Sequence, residues 1–243
     1  MIIRFATYNI HRGMGIDGIT SADRIATVLQ QMDAHVIGLQ EVAYDPRAPH
    51  NVLTEIARAT QSEAIPGPTL LEHSGRYGNA LLTPAMPEKI RRLNISCPGR
   101  EPRGALIVSF QLDGVAVNVI STHLGLMPSE RRRQMQRLRP FFFPPGSGIT
   151  ILMGDFNEWF RWALPLRLIR RRFGNQPAPL TFPSRRPLLA LDRIWVHPAD
   201  ALIALTSHIS PLSKIASDHL PLVADVDSLY QRNNLNARTR SMP

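Results

Sequence analysis

The strand–helix–strand order of the first 41 residues constrains the fold more than any other stretch. IIRFATYNI alternates loosely and is rich in β-forming residues, which predicts a strand ending near Asn9. After a glycine-containing loop, Ser21 offers an N-cap, and Ile25, Val28, Leu29 and Met32 fall on one helical face. A helix is therefore expected through about Met32. AHVIGLQEV then predicts a second, largely apolar strand ending at Glu41. Two strands joined by a crossover helix lie parallel, with their C-terminal ends on the same side. Asn9 and Glu41 thus fall at one sheet edge, where open α/β sheets bind their ligands.

Further along, Asn51 to Thr60 reads as a short helix. GNALLT, ALIVSFQL and VAVNVISTHL read as strands, the last ending at His123. SERRRQMQRLR, with Ser129 as N-cap, predicts a strongly basic helix, and PFFFPPGSG a loop. ITILMGDFN, LLALDRIWV and HLPLVADV complete the strands. Residues 159–173, WFRWALPLRLIRRRF, mix aromatic, aliphatic and arginine side chains and are interrupted by Pro165. Such a stretch either packs on the sheet or suits a membrane interface. No repeat or linker marks a boundary, so 1–228 read as one domain and 229–243 as a polar tail expected to be disordered.

Composition narrows the function classes. With 44% hydrophobic residues among 243, one large domain can bury a real core. Cys97 is the only cysteine, which excludes an intrachain disulfide and a thiolate metal cluster and fits a reducing compartment. MIIRFATYNIHRG lacks a signal-peptide pattern, and no apolar run is long enough to span a bilayer. The expected location is cytoplasmic, with peripheral membrane association as the alternative. A formal net charge of +9 predicts attraction to polyanions, nucleic acid or anionic lipid. All basic residues except Lys89 and Lys214 are arginines, a bias that codon usage alone can produce.

Seven segments share one property: a polar, chemically capable residue at or beside the end of an apolar strand. These residues are Asn9 in TYNIHRG, Glu41 in LQEV, Asn79 in YGNALL, His123 in STHLG, Asp155 and Asn157 in GDFNEW, Asp192 in LDRIWV, and Asp218 with His219 in SDHLPL. Each alone reads as a turn residue, a solvated strand end or a hydrogen-bonded core side chain. Together they describe a site at one sheet edge. Because alternate side chains of an extended strand point the same way, Asp155 and Asn157 are expected to converge, with Phe156 facing the packing. Carboxylates, asparagines and histidines without cysteine form a hard, oxygen-rich set suited to Mg²⁺ or Mn²⁺. Glu41 is the best single anchoring carboxylate.

The motifs NIHRG, QEV, THL, GDFN, DRIWV and SDHLPL, in that order, resemble those of the endonuclease/exonuclease/phosphatase superfamily, from about Ile3 to Val226. That superfamily includes pancreatic deoxyribonuclease, bacterial exonuclease III, inositol polyphosphate 5-phosphatases and neutral sphingomyelinases. The resemblance implies an α/β (α+β) fold, a four-layer sandwich of two mixed β-sheets flanked by helices. It implies that Glu41, with Asn9 and Asp218, holds the metal. Asp155 and Asn157 would orient water and the scissile phosphate, Asp192 would fix the His219 ring, and His123 would be the second histidine at the phosphorus. Asn79 and Arg103 are expected at the substrate. The exonuclease III branch carries a tyrosine at the position of His123, which argues against abasic-site repair. Pancreatic-type nucleases pair the corresponding histidine with a carboxylate, whereas RYGNALL offers Asn79, so His123 is expected to be oriented differently or protonated less readily.

The expected function is a divalent-metal phosphoesterase of nuclease-like type, acting as a monomer. A phospholipid or inositol-phosphate phosphoesterase at a membrane surface is the runner-up. A polyanion-binding module without turnover is the least favoured reading, since none of the expected site positions is apolar.

Overall fold

The computed structural model describes residues 1–48, 50–72, 75–112, 114–144 and 148–230. The segment expected to be disordered lies outside the described residues from 231 onward. Leu229 and Tyr230 belong to the folded body, Tyr230 packing partly on the core and donating to Asp200 at 2.9 Å.

Two sheets face each other. The first has the order β10 (Leu202–Ser207), β11 (Leu222–Asp227), β1 (Ile2–Asn9), β2 (Val36–Tyr44), β4 (Gly75–Thr83), β3 (Glu63–Glu72). The second runs β5 (Pro87–Asn94), β6 (Gly104–Leu112), β7 (Val115–His123), β8 (Ile149–Asp155), β9 (Asp192–His197). Only β1 with β2 and β7 with β8 pair in parallel; the other neighbours are antiparallel. Both sheets are thus mixed, as expected.

The strand period explains the layers. Along β1, Ile3 and Phe5 point into the core between the sheets, while Ala6 and Tyr8 join the core beneath α1 (Ala22–Met32) and α2 (Val52–Ala59). In β8, Ile149, Ile151 and Met153 face the central core and Leu152 faces the layer of α3 (Pro128–Leu138) and α4 (Leu164–Phe173). Helices, sheet, sheet, helices make the four layers. Close approach of the sheets needs Gly38 of β2, where a Cβ would sit 2.7 Å from Ser121 Oγ. At that distance one side must give way.

The helix starts follow capping chemistry. Ser21 Oγ accepts from the Arg24 amide at 3.2 Å, and Asn51 Oδ1 accepts from the Thr54 amide at 3.1 Å. The cap expected at Ser129 is wrong. Pro128 occupies the first helical turn, where its fixed φ is already helical, so Ser129 lies inside α3 and Met127 precedes it. Pro165 likewise begins α4 instead of interrupting it.

Three strands escaped the sequence reading: β3, β5 and β10. All are edge strands, paired on one side only. Polar residues and prolines are tolerated there, and PEKIRRLN in β5 is largely exposed.

Candidate active site

The parallel pairs β1/β2 and β7/β8 bring their C-terminal ends to one edge, and the antiparallel partner β9 starts there. His123 stands beside Asp155 in the ladder, and Asp155 beside Asp192. Three of the expected side chains are therefore direct neighbours across three strands.

The GDFN motif ends β8 with a turn. Gly154 has φ 140°, and a Cβ there would collide with the Thr122 carbonyl oxygen, so only glycine fits. Asp155 Oδ1 accepts from the Asn157 backbone amide at 2.9 Å, and Asn157 adopts a left-handed φ of 49°. Asp155 and Asn157 do converge, but through this Asx turn and not through the two-residue strand period. The Asn157 side-chain amide lies 3.0 Å from His123 Nε2 and donates to the Leu124 carbonyl at 2.9 Å. Phe156 is fully buried edge-to-face on Trp195, with ring centroids 4.9 Å apart. It packs as expected.

Asp155 Oδ2 is the point of convergence. It accepts from Asn9 Nδ2 at 3.1 Å and lies 3.5 Å from His123 Nε2 and 3.8 Å from His219 Nε2. Asn9 Nδ2 also donates to Glu41 Oε1 at 3.0 Å, while Asn9 Oδ1 accepts from the His11 amide at 3.1 Å. Glu41 has φ 57°, and the β2–β4 pairing shifts register between Leu39 and Val42. A bulge of this kind turns a side chain away from the regular alternation. Asp218 stands beside this group: Ser217 Oγ donates to Asp218 Oδ1 at 3.3 Å and to the Asn9 carbonyl at 2.8 Å, and His11 Nδ1 is 3.8 Å from Asp218.

The two histidines have opposite electrostatics. His219 Nδ1 bonds Asp192 Oδ2 at 2.8 Å, as expected from the motif, with Asp192 fully buried. Burial alone pulls the His219 pKa down, but Asp192 and Asp155 outweigh it and raise it to about 10, so the ring is doubly protonated at neutral pH. His123 is buried without such compensation. Burial, with help from Arg103 and His219, overcomes the pull of Asp155 and lowers its pKa to about 3. It is neutral.

The partner that orients His123 is Arg103. Arg103 Nη1 lies 3.2 Å from His123 Nδ1, and a guanidinium can only donate, so Nδ1 accepts from it; at the other ring nitrogen, the Asn157 amide nitrogen and Asp155 Oδ2 stand 3.0 and 3.5 Å from Nε2. Glu101 holds the same guanidinium through two bonds of 3.1 Å. Sequence reasoning placed Arg103 at the substrate and looked to Asn79 beside the histidine. Asn79 instead is buried, donating to the Gly104 carbonyl at 2.9 Å and linking the two sheets. The pairing of Arg103 with His123 has no sequence signal, because 20 residues separate them and an arginine is an unusual partner for an imidazole.

Metal-binding capacity can be assigned in two ways. Atoms of Asp155, Asp192 and His219 lie within 4.8 Å of one another. A doubly protonated imidazole has no lone pair to give, however, so that trio is better described as an ion network. Glu41, bonded to the Asn9 amide with Asp218 alongside, supplies the hard oxygen donors a divalent cation takes, and Asp155 stands on the other side of the same amide.

The endonuclease/exonuclease/phosphatase family model matches residues 6–219, a span that contains every residue of this edge from Asn9 to His219. The chain is 30% identical over 243 residues to the protein YbhP of Escherichia coli K12, covering 90% of this chain and 94% of YbhP. Among solved structures, an endonuclease/exonuclease/phosphatase from Beutenbergia cavernae superposes with a TM-score of 0.73 at 21% identity, covering 93% of this chain and 71% of that one. Truncated TDP2 of Caenorhabditis elegans gives 0.67 at 18% identity, covering 93% and 97%. At such identities the structures establish the shared fold.

Proposed function

Because this chain belongs to the endonuclease/exonuclease/phosphatase family, a superfamily of metal-dependent phosphoesterases, we propose that it hydrolyses a phosphate ester by in-line attack of water. The observation that carries the reading is the convergence on Asp155 Oδ2 of Asn9, His123 and His219, from two sheets and three separate segments. A buried carboxylate with that surrounding has no use as a mere turn residue.

Each side chain then has a part. Glu41, with Asn9 and Asp218, holds the divalent cation, Mg²⁺ or Mn²⁺, which when bound supplies Lewis-acid polarisation of the phosphate oxygens. Asp155 orients the attacking water and accepts its proton. The His219 imidazolium, held by Asp192, stabilises charge building on the phosphoryl oxygens in a site shielded from bulk water. His123 is neutral and held at Nδ1 by Arg103, with Nε2 facing Asp155, and Asn157 offers its amide to the same phosphate. Acid–base help of this kind is worth about 10²- to 10⁴-fold.

The substrate is nuclease-like in the sense that an electropositive protein meets a phosphodiester, the net charge of +9 favouring a polyanion. Chelator-sensitive hydrolysis of bis-p-nitrophenyl phosphate, restored by Mg²⁺ or Mn²⁺, tests the chemistry. Activity that survives both Glu41→Ala and His219→Ala would overturn it.

A further inference from the structure

The loops that follow β7 and β8 flank His123 and Asn157, and they are unexpectedly apolar on the outside. Leu126 is 67% exposed and Met127 44%; after β8, Trp159 is 61%, Phe160 53% and Trp162 72% exposed. Of the 159–173 stretch, Pro165, Leu166, Ile169 and Phe173 are buried, the last three in the core beneath α3 and α4. Three large aromatic side chains within four positions of one loop are not needed for the core.

This rim is held in place from beneath. Arg131, buried in α3, donates to Glu158 Oε2 at 3.0 Å and to the carbonyl of Leu126, while Glu158 Oε1 accepts from the Phe160 amide at 3.3 Å. One buried ion pair therefore ties the Leu126–Met127 loop to the Trp159–Trp162 loop. Positive charge gathers at the same place. Arg161 lies between Phe160 and Trp162, Arg170 donates to its carbonyl at 2.6 Å, and Arg193 of β9 is 6% exposed with no partner for Nε among the described residues. Burial chiefly, with Arg161 and Arg170 against the opposing pull of Asp192 and Glu158, lowers the Arg193 pKa to about 10, which puts the three guanidinium groups within electrostatic reach of one another. A cluster of that sign is complementary to an anion.

We propose that Leu126, Met127, Trp159, Phe160 and Trp162, with Arg161 among them, form a docking surface for an anionic phospholipid bilayer, which brings the catalytic edge to the headgroup layer. Aromatic rings with neighbouring aliphatic side chains and arginine make up the surface that lies in a membrane interface. Single-stranded nucleic acid is the competing occupant, since bases stack on exposed rings, but Leu126 and Met127 offer no ring to stack on. The surface is independent of turnover, so its test and that of the hydrolytic reading can fail separately.

Co-sedimentation of the full chain with vesicles of phosphatidylcholine alone, or with about one third phosphatidylglycerol, tests the surface at low salt. Binding is expected only with the anionic lipid. Trp195 is buried, so Trp159 and Trp162 report the contact through a blue-shifted emission quenched by acyl-brominated lipid. Combined Trp159→Ser and Trp162→Ser is expected to weaken vesicle binding by about tenfold or more, with hydrolysis of bis-p-nitrophenyl phosphate unchanged. Equal binding by that variant overturns the proposal. So does an absence of vesicle binding at low salt, or an emission change produced by oligothymidylate and not by vesicles.

Discussion

Asn9 Nδ2 donates to Asp155 Oδ2 at 3.1 Å, a bond between the last residues of β1 and β8 that closes the gap between the two sheets at their functional edge. The same nitrogen serves Glu41 Oε1, so one amide keeps two carboxylates apart and satisfied. Asn9→Leu removes the donor from both. Leaving a buried acceptor without a partner costs about 1–3 kcal/mol. An unfolding free energy from urea titration lowered by that amount, with hydrolysis lost, is the expected outcome; a variant as stable and as active as the parent would show that the amide is dispensable.

His219 ties stability to the alkaline range. Its pKa rises from 6.5 in the unfolded chain to about 10 in the folded one, so the folded state binds the proton more tightly. The resulting stability is fully present below pH 6.5 and is lost as pH rises through about 10. Urea unfolding of the parent is expected to weaken across that window. His219→Gln should flatten the profile, and Asp192→Asn, which removes the principal attraction, should shift it downward. Identical pH profiles for all three proteins would contradict the ion network.

His123 has the opposite sign. Its folded pKa of about 3 lies below the unfolded 6.5, so the stability it contributes is present above pH 6.5 and lost as pH falls toward 3. Replacing it with Gln should make the acid limb of the urea profile less steep than in the parent. Arg103→Gln relieves one of the charges holding the pKa down, so a ring-proton NMR titration should find His123 accepting a proton at higher pH; no movement of that titration would remove Arg103 as its partner.

The central strands and the site were legible because their residues repeat a local pattern. The helix Ala22–Met32, capped by Ser21, and the βαβ unit follow from a cap and a periodic face, and both are present. Asn9, His123, Asp155 and Asp192 lie at this edge because each ends or begins a strand that the sequence marks with an apolar run, whereas Asn79 sits in the middle of β4. What was not legible depends on partners distant in the chain. Edge strands such as β5 carry no buried face to give a periodic signal. The Arg103–His123 pairing and the location of Asn79 between the sheets are tertiary facts, set by how β6 and β7 align. The membrane reading of 159–173 was open in the sequence, because a mixed aromatic and arginine stretch serves core and interface equally until exposure is known.

The Arg131–Glu158 pair is nearly inaccessible on both sides, at 5% and 2% side-chain exposure. Removing one partner of such a pair strands the other charge, at a cost of about 3–5 kcal/mol. Arg131→Met is expected to lower stability by that order, while joint replacement with Glu158→Leu should recover much of it because no unpaired charge remains. A double-mutant cycle in urea measures the coupling. Vesicle binding by the double variant, if it persists at full strength, would show that the rim does not need this tie.

Glu41 trades stability for position. Its φ of 57° lies in the left-handed region, which favours glycine and asparagine and costs other residues about 1–2 kcal/mol. The bulge holds it there, with its carboxylate beside Asn9 and Asp155. Glu41→Asn keeps a residue that tolerates this backbone, shortens the side chain and removes its charge. Thermal unfolding is expected to rise by roughly 2–4 °C for each kcal/mol of strain relieved, while metal-supported hydrolysis falls at least about 10²-fold. The two effects must appear together: a variant that is both less stable and still active would mean that neither the strain nor the carboxylate matters at this position.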